Sequence, residues 1–193
     1  MPLFKILYWA ALIVEIIIRA PYQRKRRADT GKTVNAASRT EVILLTLLFI
    51  AGLPLPLIYT FTSWLSFADY ALPTWAGWLG AAVMALGLYF FYRSHHDLRH
   101  NWSPTLEVHS NSTLITDGIY SKIRHPMYLS QLLVAVAQAM LLWNWLAGPL
   151  SIVVFVLFYL FRVPEEEKMM LAAFGEPYRE YMKRTGGIIP RMR

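Results

Sequence analysis

Two short segments carry most of the chemistry open to this chain: Arg124-His125-Pro126-Met127-Tyr128, and the six residues from Arg162 to Glu167. Proline has no backbone N–H to donate, so Pro126 suits the first turn of the apolar helix that follows it. Arg124, His125 and Tyr128 then cluster at a helix N-terminus, where unpaired N–H groups favour anionic ligands. The second segment holds Arg162 with Glu165, Glu166 and Glu167, four charges within six positions at the edge of an apolar run. Such charges are costly unless paired or used. Taken singly, each cluster reads as an anchor: Arg124 on lipid headgroups, His125 as a cap, Tyr128 in an aromatic belt, and the glutamates capping a helix that starts at Pro164. Taken together, at facing ends of one hairpin, they point to a site.

The elements that must position these residues are apolar helices. The chain has 193 residues, 56% of them apolar and only 16% charged, which is outside the usual balance of a soluble domain. The absence of cysteine excludes disulfides, zinc–thiolate sites and thiol nucleophiles. Glu15 interrupts the first apolar run and no small-residue cleavage site follows it, so a cleavable signal peptide is not expected. The hydrophobic pattern predicts an all-α integral membrane protein, a single membrane domain over 1–193. Its five spans lie near 3–18, 42–60, 75–92, 126–145 and 148–161. Pro54 and Pro56 should kink or break the second span. Gly77, Gly80 and Gly87 in the third read as close helix packing. A turn of only Asn144 to Ala147 forces the last two spans into an antiparallel hairpin. The tail, 164–184, reads as one or two amphipathic helices interrupted at Gly175 and restarted at Pro177.

The cations set the expected topology. Of 19 Lys and Arg, seven lie in 19–39, four in 93–124 and seven in 162–193, leaving Lys5 as the exception. The positive-inside rule puts these loops and the tail in the cytoplasm and the N-terminus outside. That distribution accounts for the net charge of +7 without a nucleic-acid partner. Arg24-Lys25-Arg26-Arg27 reads as a topology anchor attracted to anionic lipid.

Gly118-Ile119-Tyr120, Arg124-His125-Pro126-Met127-Tyr128, Arg162 to Glu167 and Phe174-Gly175-Glu176-x-Tyr178-x-x-Tyr181 resemble, in order and spacing, the isoprenylcysteine carboxyl methyltransferases. The resemblance covers about 114–184, within a catalytic region at 101–193, and the wider group includes phospholipid N-methyltransferases. It implies an S-adenosylmethionine pocket at the cytoplasmic face, closed by the C-terminal tail, with S-adenosylhomocysteine as product. No Gly-x-Gly-x-x-Gly follows a strand, so no Rossmann site competes. By this resemblance Ser112, Thr113, Leu114, Ile115, Tyr120, His125, Pro126, Met127, Tyr128 and Glu166 are expected to bind the cofactor. Arg162 is expected to hold the substrate carboxylate, as a guanidinium fork can, and Glu167 to hold Arg162. The implied reaction is methylation of the carboxylate of a prenylated cysteine or similar prenyl acid. Such an acid is ionised at neutral pH and needs no general base. The acceptor would enter from the bilayer through an opening to which Pro54 and Pro56 could contribute. The implied alternatives are a phospholipid N-methyltransferase, for which Glu167 or His125 would serve as base, and a non-methylating lipid-binding or reductase-like membrane protein.

Other residues compete weakly. His96 and His100 stand one helical turn apart beside His95 and Asp97, a ligand-like spacing without a His-Glu-x-x-His pattern, and an interfacial headgroup patch is the expected reading, with no metal. Asn101-Trp102-Ser103-Pro104 lies where a lid over the pocket would be, and the 101–117 segment is its candidate.

Overall fold

The structure is a computed structural model and describes residues 2–28, 38–98 and 113–191. Ser112, His100, the 101–104 stretch and the side chains of Lys25, Arg26 and Arg27 lie outside the described residues. The described chain is helical: α1 (Pro2–Ala28), α2 (Arg39–Gly52), α3 (Pro54–Phe61), α4 (Thr74–Leu98), α5 (Pro126–Leu141), α6 (Leu150–Phe174) and α7 (Glu176–Arg184). Among the described residues two stretches, Arg39–Phe61 and Thr74–Leu98, are long and apolar enough to cross a membrane.

The second apolar run breaks where its prolines require. α2 ends at Gly52, Leu53 takes a non-helical conformation, and Pro54 starts α3 as a first-turn residue with no N–H to satisfy. Two helices run longer than their apolar stretches. α1 continues through Pro21 to Ala28, and α4 continues past Tyr92 to Leu98. They extend together because they pack on each other: Arg19 lies over the Phe91 ring, and the Tyr22 and His95 rings pack at 5.1 Å, tilted by 55°. This packing also corrects the reading of His95, which is not part of a headgroup patch. Its side chain is fully buried and its Nδ1 lies 2.9 Å from the Phe91 carbonyl.

α4 packs closely against α5 because Gly80 and Gly87 face it. A Cβ added at Gly87 would stand 3.1 Å from Val134 and 3.3 Å from the Ser130 carbonyl. α5 ends at Leu141, four residues short of the expected boundary, and α6 begins at Leu150. Between them Asn144 is fully buried. Its amide donates to the Leu65 carbonyl (2.7 Å) and to Asp69 (2.8 Å), while its oxygen accepts from the Leu146 and Ala147 N–H groups. One side chain thus satisfies the turn and ties it to the 62–74 connection.

α6 runs unbroken through Pro164, so the expected helix start there is not formed. Proline inside a helix forfeits one hydrogen bond and crowds the preceding turn. The helix is held on both sides of Pro164 by ties to other elements, from Arg162 to α2 and from Glu166 and Glu167 to the start of α5. The three glutamates therefore stand mid-helix, not in a first turn, and their 100° spacing sends them in different directions. The helix does stop at Gly175, which adopts φ +57°, and Pro177 lies in the first turn of α7.

Candidate active site

The motif glycine is held by α4. Gly118 has φ +55°, a left-handed conformation that only glycine adopts without cost, and a Cβ there would collide with the Asp97 carboxylate. Asp97 accepts the Ile119 N–H at 2.9 Å and is itself held by Arg93 and His96, each at 2.9 Å. Asp97 is thus the brace of the Gly118-Ile119-Tyr120 turn. His96 turns outward to it while the adjacent His95 turns into the core, so the pair does not converge. Among the described residues no group of three or more His, Asp or Glu could hold a metal.

Arg124 and His125 then meet the tail. Their backbone N–H groups donate to the Gly186 (2.8 Å) and Gly187 (3.1 Å) carbonyls. The Arg124 guanidinium donates to the Met182 and Thr185 carbonyls at the C-terminal end of α7, where a helix dipole favours a cation. The same guanidinium reaches Glu167 through both Nε (3.1 Å) and Nη2 (2.9 Å), and His125 Nε2 lies 3.0 Å from the same oxygen. The His125 contact first, and Arg124 with it, hold the Glu167 carboxyl below its ordinary value. Sequence reading assigned Glu167 to Arg162. The structure gives it to Arg124 and His125 instead, because Arg162 and Glu167 stand five residues apart on one helix and point about 140° away from each other.

Tyr128 donates its hydroxyl to Glu166 at 2.6 Å and also interacts with Arg162. Arg162 is paired with Glu41 of α2, a residue no motif singled out. The S-x-x-E spacing of Ser38 and Glu41 was visible as a capping signal, but nothing local tells which distant arginine its carboxylate meets.

These residues surround a cavity of about 690 Å³. Thr113, Leu114, Ile115, Tyr120, His125, Pro126, Met127, Tyr128, Arg162 and Glu166 all line it, so ten of the expected site residues share one wall system. Glu167 stands behind that wall. Tyr178 and Tyr181 of α7 close it on the tail side, both nearly fully buried, and the Tyr181 hydroxyl donates to the Tyr120 carbonyl at 2.6 Å. Burial pushes both phenols well above their ordinary range, so they remain neutral donors.

The opposite half of the cavity is mostly apolar, with Glu15 and Arg19 on the same face of α1. It runs between α1 and α2 along Leu12, Ile16, Leu45, Leu48 and Phe49, reaching Tyr8 and Gly52, which are joined by a 2.6 Å hydrogen bond. Ile16 (67% exposed) and Phe49 (58% exposed) leave that side open at the molecular surface. Glu15 and Gln131, 3.3 Å apart, also line the cavity, and sequence reading had treated Glu15 only as an interruption of the first apolar run.

Comparison with known proteins agrees with the motif reading. Residues 78–172 match the family model described as the isoprenylcysteine carboxyl methyltransferase (ICMT) family. A protein-S-isoprenylcysteine O-methyltransferase of Saccharomyces cerevisiae is 33% identical over 118 residues, covering 58% of this chain and 48% of the relative. One of Schizosaccharomyces pombe is 36% identical over 77 residues, covering 40% and 33%. The chain thus spans less than half the length of these relatives. A eukaryotic intramembrane Ras methyltransferase, ICMT, superposes with a TM-score of 0.57 over 96% of this chain and 62% of that one, at 23% identity, so the two share a fold. In motif order, matched region and helical architecture, the chain is similar to the isoprenylcysteine carboxyl methyltransferases.

Proposed function

We propose that the protein is an S-adenosylmethionine-dependent methyltransferase acting on the carboxylate of a prenylated cysteine or a similar prenyl acid. The observation that carries this reading is the two-sided cavity. One end is polar, with Arg162, Glu166 and Tyr128, and the other is an apolar cleft open between α1 and α2. An amphipathic acceptor with an acidic head and a hydrocarbon tail fits such a shape.

The residues present fit the cofactor. The Glu166 carboxylate suits a cationic amino or sulfonium group, and its orientation is set by the Tyr128 hydroxyl. The 113–115 segment, Tyr120, His125, Pro126 and Met127 supply the remaining walls. When bound, S-adenosylmethionine would supply an electrophilic methyl group, with its sulfur as a neutral thioether leaving group as the carboxylate oxygen bonds to that carbon. The chain need not move a proton, since the acceptor acid is already ionised. Its work is to hold that carboxylate on Arg162, keep water out behind Tyr178 and Tyr181, and admit the tail from the side. Five spans, an outside N-terminus and a cytoplasmic site complete the reading, supported by the cation distribution and by the intramembrane relative.

The test is calorimetric binding of S-adenosylhomocysteine to the detergent-purified protein, followed by transfer of radiolabelled methyl to N-acetyl-S-farnesylcysteine as a base-labile ester. Glu166→Ala should lose cofactor binding, whereas Arg162→Ala should keep it and lose turnover. No binding by well-folded wild type, or label only in base-stable lipid, would reject carboxyl methylation.

A further inference from the structure

Arg162 is not presented to the cavity as an isolated cation. It is 4% exposed and ion-paired with Glu41, which is 3% exposed, across the packed faces of α6 and α2. Glu41 is the third residue of α2, and its N–H donates to the Ser38 hydroxyl at 3.1 Å. That spacing would let its carboxylate reach back to the Ser38 N–H and complete a capping box. In this fold the carboxylate is turned to Arg162. Stability alone is a weak reason for a buried ion pair, because desolvation offsets much of the attraction and apolar replacements are often as stable. Arg162 itself forms part of the cavity wall, beside the Tyr128–Glu166 contact.

Resting on the carboxyl-methylation reading above, we propose that Glu41 is a positioning residue that moderates Arg162, so that the guanidinium holds the acceptor carboxylate in place without holding it tightly. A guanidinium has five N–H donors, enough to serve Glu41 and an acceptor carboxylate together. Methylation consumes the carboxylate's negative charge as its oxygen bonds to the methyl carbon. A lone buried cation beside that oxygen would stabilise the starting acid more than the transition state, and interactions of that kind slow the chemical step. Glu41 cancels the charge of Arg162 and occupies one edge of its fork. The acid is then oriented yet still nucleophilic, and the neutral ester is not at a large disadvantage for the same position.

The experiment compares wild type, Glu41→Gln and Glu41→Asp, with S-adenosylhomocysteine binding as the control for an intact pocket. Equilibrium binding of N-acetyl-S-farnesylcysteine and of its methyl ester is measured for each. Glu41→Gln keeps the size and a hydrogen-bonding group but removes the charge. It should tighten acid over ester by about tenfold, the order of one charge-assisted hydrogen bond. In turnover, KM for the acid and kcat should fall together, leaving kcat/KM little changed. Glu41→Asp, with its carboxylate drawn back from Arg162, should shift both readouts the same way by a smaller factor, and serves alone if Glu41→Gln does not fold. An unchanged acid-to-ester ratio in a variant that still binds S-adenosylhomocysteine would overturn the proposal and leave the pair as a staple between α2 and α6. Failure of wild type to methylate the acid at all would instead remove the underlying reading, and this inference with it.

Discussion

Replacing Arg124 by alanine should undock the tail without unfolding the bundle. The Arg124 side chain is 13% exposed and its partner Glu167 21%. The change deletes two N–H contacts to Glu167, at 3.1 and 2.9 Å, and two to carbonyls of the tail, at 3.2 Å (Met182) and 2.5 Å (Thr185). Hydrogen bonds involving a charged group contribute about 1.5–3 kcal/mol each in favourable sites, and breaking a fully buried ion pair costs about 3–5 kcal/mol. Partial exposure and the overlap of these contacts reduce the total, so a loss of about 2–4 kcal/mol is expected for docking of 176–187. That corresponds to an opening equilibrium shifted by about 30- to 1000-fold. Amide hydrogen exchange should read it directly, with faster exchange confined to α7 and 185–187 while α4 and α5 keep their protection. Because Tyr178 and Tyr181 line the cavity, S-adenosylhomocysteine affinity should fall in parallel. Arg124→Lys should recover only part of the effect, since an ammonium cannot fork between a carboxylate and two carbonyls. Unchanged exchange in a folded Arg124→Ala protein would refute the reasoning and return Arg124 to the role of a headgroup anchor.

Gly118→Ala should cost about 1–2 kcal/mol for the left-handed backbone alone, and more from displacing Asp97, and a thermal melt should show a lowered midpoint with weakened cofactor binding. Glu167 supplies a pH dependence whose sign follows from its lowered folded-state pKa: its contribution is full above the ordinary value of 4.5 and is lost as pH falls through the lower folded value. Wild type should therefore exceed Glu167→Gln in stability at neutral pH, and the two should converge in acid below that range. A difference that persists or grows in acid would contradict the assignment.

How much was legible in advance differs from residue to residue. The break at Pro54, the hairpin after Pro126 and the stop at Gly175 were readable because proline and glycine act on their own backbone. The Arg124–Tyr128 and Arg162–Glu167 segments could be set opposite each other because a short turn leaves two consecutive helices little alternative to lying antiparallel. Pro164 misled for the converse reason. Its local preference for a helix start is outweighed by ties from Arg162 to α2 and from Glu166 and Glu167 to the start of α5. The extension of α1 through Pro21 and the burial of His95 have the same origin, since each needs a partner helix that local patterning does not name.

By itself, then, the order of residues determined the helical membrane-type architecture, the polar segments that would face one another, and ten of the side chains around the cavity. The first two follow from apolar spacing along the helices and the short turn between them, and the ten side chains from the motifs that resemble the isoprenylcysteine carboxyl methyltransferases. Only the tertiary structure decided the pairings: Glu167 with Arg124 and His125, Asp97 with the Gly118 turn, and Glu41 with Arg162. Each partner on a helix can point in any of several directions around its axis. Which of them meet depends on the rotation and depth at which the helices pack, and nothing local to Glu41 or Arg162, separated by 121 in sequence, records that.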